Sequence, residues 1–380
     1  MATILHIMDY GGLYSGNFIS SLIFLEEKVA KELGHNSIFI FSEIAKKRPW
    51  VNLIKKRKIP IYFVDKKLSL LKRVKKIITI IKDYNVILVH SHFTTFDLDV
   101  VFVAKYLKAK VIWHVHSGLF EKITIKQKLK DLIKIRFIAN NWIDSVITVS
   151  DSLSELMKQR GVISLKILTI NNGIDIKRFL KMDKKKKVIL RQQNNILQTQ
   201  KVFLLFGWSP YIKGVDLFIN ASKILWDLGY TNILCFIVYG EKSKDIICKM
   251  IADIPWIRAI QPMENVDELY NISDCFVSAS RSEGFPYSIG EAMISRLPVV
   301  SSNLPYLIRI FGPAVKGFIT FKNEDVHDLA DKLERILKTS SKELCEMSDL
   351  NYQYIKENYT IDKWCKKIID LYKFLINERC

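Results

Sequence analysis

The chain has 380 residues, 49% hydrophobic and 26% charged, which excludes a disordered chain and exceeds what one core usually serves, so two domains are expected. No apolar run reaches the roughly 18 residues that span a bilayer, Met1 leads straight into a strand-like run rather than a cleaved signal, and the six cysteines lack paired spacing and read as free thiols of a reducing cytosol. The net charge of +19 is lopsided: residues 1–180 carry 30 Lys and Arg against 15 Asp and Glu, the remainder 28 against 24, so the first half either faces an anionic partner or carries solvated basic helix faces.

In chain order, the strand Ile4–Met8 runs into a turn holding Gly11, Gly12 and Gly16, then an apolar-periodic helix through Leu33. Strand, glycine turn and helix make a phosphate-loop geometry, although neither dinucleotide nor ATP-binding spacing is present. Strands follow at 37–41 and 61–64, then an amphipathic helix at 67–83 with Leu70, Val74, Ile77, Ile78 and Ile81 on one face and Lys72, Arg73, Lys75, Lys76 and Lys82 on the other. Buried-strand runs at 86–90 and 110–116 bound a further helix, and the alternation implies a parallel sheet that gathers ligands at its carboxyl ends. Both runs end in His-x-His (His90/His92 and His114/His116), but no third ligand is evident at a metal-binding spacing, so no metal is expected. Asp97-Leu98-Asp99 opens a helix, where acids suit the dipole.

Residues 121–138 interleave Lys122, Lys126, Lys128, Lys130, Lys134 and Arg136 with Ile123, Ile125, Leu129, Leu132, Ile133 and Phe137. This pattern suits either a helix in a membrane interface or a domain helix with a solvated basic face. Strands at 144–150 and 166–170 close the first domain, and the lysine-rich passage 181–201 reads as a linker. The second domain opens with a strand at 202–206, a turn through Gly207 and Trp208, and Lys213-Gly214 before a helix. Strands follow at 233–239 (ending at Gly240), 257–260, 275–278 and 298–301; beyond Phe318 the chain reads as helices at 326–338, 341–356 and 360–377.

The most informative stretch is Arg281-Ser282-Glu283-Gly284-Phe285-Pro286-Tyr287-Ser288-Ile289-Gly290-Glu291-Ala292-Met293, between two strands. Gly284 and Pro286 mark a turn, Glu291 is expected to open a helix, and a turn entering a helix start cradles anions. Glu283 and Glu291 are eight positions apart, roughly 12 Å along a helix, so they suit two parts of one extended ligand better than a hydrolytic pair. Ser288-Ile289-Gly290-Glu291 also fits a simple capping box.

Glu-Gly-Phe, five residues, Glu-Ala-Met and a closing Pro-Val-Val resembles the signature of the family-4 retaining glycosyltransferases (glycosyltransferases group 1). The resemblance runs in order from the first strand to the last helix. It implies the GT-B architecture: an α/β protein of two Rossmann-like domains with parallel sheets facing a central cleft. The expected domains are an acceptor-binding domain over 1–180, the linker 181–201, a donor domain over 202–358, and a helix over 359–380 packing back on the first domain. Carried over by resemblance, Glu283 faces the donor sugar, the backbone of Gly284, Phe285, Tyr287 and Ser288 holds sugar and diphosphate, and Glu291 binds the ribose. Lys213 meets the diphosphate, a first-domain glycine turn (Ser15-Gly16 or Gly11-Gly12) together with Gly207 and Gly240 lets backbone approach the donor, and His116, followed by Ser117-Gly118, lines the cleft near the reacting sugar. Two departures stand out. Pro286 replaces a glycine and removes one N–H donor, and Trp208 occupies a place that many relatives give to arginine.

The resemblance implies a hexosyltransferase-type enzyme that works without metal or cofactor. It would move a sugar from a nucleotide-diphosphate donor to a glycan or lipid-linked acceptor, with retention, in cell-surface polysaccharide or glycolipid assembly. A sugar-nucleotide 2-epimerase of the same architecture and a non-catalytic partner subunit are the alternatives. The expected partners are donor, acceptor and an anionic membrane surface met by the basic first domain, with no nucleic acid. The expected location is cytoplasmic, with peripheral contact to the inner face of the plasma membrane left open.

Overall fold

The structure, a computed structural model, describes all residues except 94, 117–128, 130, 131, 180, 181, 313–315 and 378–380. The chain divides into two compact units, Met1–Gly173 with Ile361–Cys380, and Ile174–Thr360.

In the first unit the strands are β1 (Thr3–Met8), β2 (Asn36–Ser42), β3 (Ile61–Val64), β4 (Val86–His92), β5 (Lys110–Val115), β6 (Ser145–Thr148) and β7 (Ile167–Thr169). They pair in parallel in the order β3-β2-β1-β4-β5-β6-β7. The central runs are apolar at nearly every position because crossover helices cover both faces of a parallel sheet; all six residues of β1 are buried. Strand order reverses between β1 and β4, the kind of place where such sheets hold ligands. The last helix, Ile361–Asn377, belongs to this unit. Its buried stripe (Ile361, Trp364, Cys365, Ile368, Tyr372, Leu375) packs with Ile4, Leu25, Leu88, Ile112 and Ile147.

The second unit contains β8 (Lys201–Phe206), β9 (Ile233–Val238), β10 (Ile257–Ile260), β11 (Cys275–Ser278), β12 (Val299–Ser302) and β13 (Phe318–Phe321). Their order, β10-β9-β8-β11-β12-β13, reverses between β8 and β11. Phe203, Leu205, Phe218, Ile237, Val277 and Leu333 lie in its core.

Several sequence expectations change. The passage read as a linker contains the helix Lys184–Gln193, capped by Asp183, whose carboxylate accepts from the Lys186 N–H at 2.9 Å. Buried Arg191 ties it into the second unit through the Gln200 carbonyl at 2.5 Å and Asp274 at 3.3 Å. Polar composition concealed this helix because its partners are carbonyls and a carboxylate rather than an apolar face. The two compact units meet at Gly173/Ile174 and Thr360/Ile361. Strand β13 and the helix Pro305–Phe311 occur where no element was expected, each too short to display a period. Finally, the motif helix is Tyr287–Ile294 with Pro286 at its N-cap, so Ser288 caps nothing and Glu291 lies inside the helix, not at its start.

Arg73, assigned to a solvated basic face, turns inward to clamp buried Asp99 through two bonds of 2.6 and 2.9 Å. Asp97 pairs with Lys134 at 2.8 Å. The rest of the basic stretch 121–138 lies largely outside the described residues; its described part includes the π-helical turn Ile133–Ala139. Among the described residues, no helix is long and apolar enough to cross a membrane.

Candidate functional site

In the second unit the site is built by the loops that leave β8 and β11, neighbours at the point of strand-order reversal. Leaving β8, Gly207 closes against Val215 and Ile237, where a Cβ would come within 3.0 Å of either side chain. Gly214 then starts the helix Val215–Asp227 with φ +63°, and an added Cβ would lie 2.0 Å from the Ala279 carbonyl oxygen. Only glycine tolerates both the left-handed backbone and that approach. This tight crossing brings Lys213 to the β11 loop, where its Nζ lies 2.5 Å from Glu283 Oε1. Sequence reasoning gave these two residues separate roles; the fold makes them an ion pair, with the lysine side chain only 14% exposed and the glutamate 9%.

The residues that hold this pair were not assigned from the sequence. The Ser280 hydroxyl donates to Glu283 Oε1 at 2.6 Å, and the Glu283 N–H donates to the Tyr306 hydroxyl. Arg281 locks the two loops together. It donates to both Asp216 oxygens at 2.9 and 2.8 Å, to the Tyr211 carbonyl at 2.6 Å and to Glu324 at 3.0 Å, and its guanidinium lies 4.3 Å from the Tyr211 ring centroid. Bonding to Arg281 holds the Asp216 carboxyl below its ordinary range. The sequence signal available was an Asp two residues after Lys-Gly and an Arg two residues before Glu-Gly, but nothing in a linear reading pairs them.

Phe285 is buried against Tyr287, Phe311 and Tyr359, so its side chain anchors the turn and leaves only backbone to face a ligand. The helix Tyr287–Ile294 follows, and the first-turn N–H groups of a helix point away from its own ladder. Glu291 is buried one turn in and accepts from the Tyr270 hydroxyl at 2.7 Å; that hydroxyl also reaches the Ser288 carbonyl at 3.3 Å. Burial first, then the Glu291 charge, push the Tyr270 phenol well above its ordinary pKa, so it stays a donor. Glu283 and Glu291 thus have separate partners. Gly240, after β9, packs against Trp208, which stacks on Phe206 at 5.1 Å and stands 48% exposed, with Lys213 Nζ 5.8 Å from its ring centroid.

In the first unit Gly16 opens the helix Gly16–Leu33 with φ +55°, while Gly11 and Gly12 sit against Ile44 and Tyr10. His116, at the end of β5, is half-buried and stacks on buried His114 at 4.0 Å; Ser117 and Gly118 lie outside the described residues. The two His-x-His pairs are not independent. His90 pairs in register with His6 of β1, and His92 with His114, which sets four of the seven histidines on one sheet with His116 just past β5. Hydrogen-bond contacts join His116 Nε2 to His92 Nδ1 (3.2 Å), His92 Nε2 to His6 Nδ1 (3.1 Å), His114 Nδ1 to His90 Nε2 (3.2 Å), and His90 Nδ1 to the Tyr372 hydroxyl (2.5 Å). Burial lowers every one of these pKa values, to about 3 for His6 and His116, so the rings are neutral. The histidine neighbours that a linear reading could not supply come from β1 and from the register between β4 and β5.

Residues 186–353 match the family model described as Glycosyl transferases group 1, and residues 28–178 match that described as Glycosyltransferase Family 4. The chain is 25% identical over 319 residues to the UDP-Gal:alpha-D-GlcNAc-diphosphoundecaprenol alpha-1,3-galactosyltransferase of Escherichia coli, covering 80% of each chain. It is 23% identical over 231 residues to the N,N'-diacetylbacillosaminyl-diphospho-undecaprenol alpha-1,3-N-acetylgalactosaminyltransferase of Campylobacter jejuni. That match covers 60% of this chain and 58% of the relative, under two thirds of its length. Among solved structures, Anabaena HepE in complex with UDP and glucose superposes with a TM-score of 0.81 at 15% identity, over 98% of this chain and all of that one. That likeness shows the fold: GT-B, with two Rossmann-like parallel-sheet units.

Proposed function

The chain belongs to the family-4, group 1 glycosyltransferases, and we propose that it moves a sugar from a nucleotide-diphosphate donor to a lipid-linked or polysaccharide acceptor in cell-surface glycan assembly. The reaction retains anomeric configuration and uses no metal ion in the chemical step. The donor is assigned to the second unit, and the acceptor, with His116 beside it, to the first. One observation carries the reading most: the Lys213–Glu283 pair at the carboxyl ends of β8 and β11, next to the start of the helix Tyr287–Ile294. The names of the E. coli and Campylobacter relatives and the UDP complex of the Anabaena protein support a nucleotide donor and a diphospholipid class of acceptor.

In this reading the bond from the anomeric carbon to the diphosphate breaks with its electron pair on the phosphate oxygen, while the acceptor hydroxyl oxygen bonds to that carbon and its proton passes to the departing diphosphate. Lys213 and the first-turn N–H groups meet the charge growing on the diphosphate, and Glu283 lies beside the electron-poor sugar. Glu291, oriented by Tyr270, accepts from the ribose hydroxyls. Electrostatic stabilisation of this kind changes rates by about 100- to 1000-fold per group. Lys213→Ala and Glu283→Gln are each expected to lower kcat by that order with the fold intact. Wild-type turnover in both would remove the assignment.

Peripheral membrane contact through the first unit belongs to the same proposal. Leu132, Ile133 and Phe137 are 45%, 51% and 62% exposed around Arg136, an arrangement suited to an anionic lipid surface. The protein should float with anionic vesicles at low salt, and Phe137→Asp should weaken flotation. Equal recovery with neutral vesicles would dismiss the contact.

A further inference from the structure

We propose that His92, His114 and His116 form a binding site for a transition-metal ion of the zinc class. One nitrogen from each ring lies within 4.8 Å of the others, and the stacked His114 and His116 rings, 4.0 Å apart, turn their in-plane lone pairs toward a shared ion on binding. Two of the donors belong to adjacent strands of one sheet, because register sets His92 beside His114, and the chain sets His116 two residues beyond, just past β5. Among the described residues the buried His114 Nε2 has no hydrogen-bond partner, a condition the interior tolerates rarely and one that ligation removes. His114 Nε2, His92 Nδ1 and His116 Nε2 are therefore assigned as the three donors.

The outer contacts fit the same assignment. A ligating imidazole usually has its second nitrogen engaged, which fixes ring orientation. Here His114 Nδ1 meets His90, whose Nδ1 meets the Tyr372 hydroxyl, and His92 Nε2 meets His6. Phe18 lies edge-on to His92 and His116 at 5.4 and 5.3 Å, and Phe93 lies 4.7 Å from His116, so an apolar wall limits water. Imidazole-only donors suit zinc, copper, nickel or cobalt, not magnesium or calcium, which need oxygen ligands. Half-buried His116 gives the ion its route in.

His116 also carries the acceptor-side assignment, so the test uses the full chain without donor or acceptor, and its failure leaves the transferase reading standing. Metal-free protein is titrated with Zn2+ and then with Co2+, whose visible spectrum reports the ligand field. The expected result is one Zn2+ per chain and a Co2+ spectrum abolished by Zn2+. His116→Gln, at a half-buried position and checked for folding by circular dichroism, should lower Zn2+ affinity by about 100-fold or more, while Tyr372→Phe, which touches no ligand, should lower it about 10-fold. His35→Gln and His327→Gln, the two histidines outside the cluster, should bind as wild type. Absence of stoichiometric Zn2+, or wild-type affinity in His116→Gln, overturns the site; wild-type affinity in Tyr372→Phe overturns the outer chain.

Discussion

The two sheets reverse strand order in the same way and differ in what they hold there. At β8 and β11 the second unit places opposite charges in contact: Lys213 with Glu283, and Arg281 with Asp216 and Glu324. Around β1, β4 and β5 the first unit instead lines up neutral rings, with burial holding five imidazoles uncharged. The ring ladder is the more rigid side, since strand register fixes its spacing on β1, β4 and β5, with His116 just past β5. One topology thus carries charged groups on its loops in one unit and neutral rings mainly on its strands in the other.

The largest test of this contrast removes the anchor of the rigid side. Trp364→Ala empties a buried position in the helix Ile361–Asn377 and should cost about 3–5 kcal/mol, read as faster hydrogen exchange in β1 and β4 with β8 unchanged. Equal acceleration in β8 would show that the two units do not hold their stability separately. A smaller effect is expected from Tyr270→Phe, which strips buried Glu291 of the phenol donor. Bonds to charged groups contribute about 1.5–3 kcal/mol, so donor affinity should fall roughly tenfold or more in calorimetry, with metal binding at the histidines untouched. Unchanged donor affinity would detach Glu291 from the ligand.

The smallest effect concerns pH. The Asp216 carboxyl sits below its ordinary 3.8 because Arg281 bonds its charged form, so the pair's contribution is complete above that value and is lost as acid protonates the folded carboxyl. At 40% exposure solvent screens much of it. Asp216→Asn should therefore shift stability slightly above about pH 4 and converge with wild type in stronger acid. A difference that grows on acidification would reverse the sign assigned to the pair.

Much of the architecture was legible because buried parallel strands are short apolar runs bounded by turns, and nearly every such run between Ile4 and Ser301 became a strand. The parts that escaped share a cause. The helix Lys184–Gln193 is polar by composition and held by Arg191, and β13 is four residues long at a sheet edge. The motif named Lys213, Glu283 and Glu291 but not what grips them, since Arg281 and Asp216 are 65 positions apart, and Tyr270 and Glu291 are 21 apart.

By itself the sequence determined which segments would be strands, where glycine was required before a helix, and the order of residues around Glu283. The tertiary structure alone decided that Lys213 faces Glu283, and that His6 meets His90 and His92, more than eighty residues away from it. The reason is physical. A local pattern fixes which face of a strand a side chain takes, whereas its neighbour across the sheet depends on strand order and register, which only the packed sheet supplies.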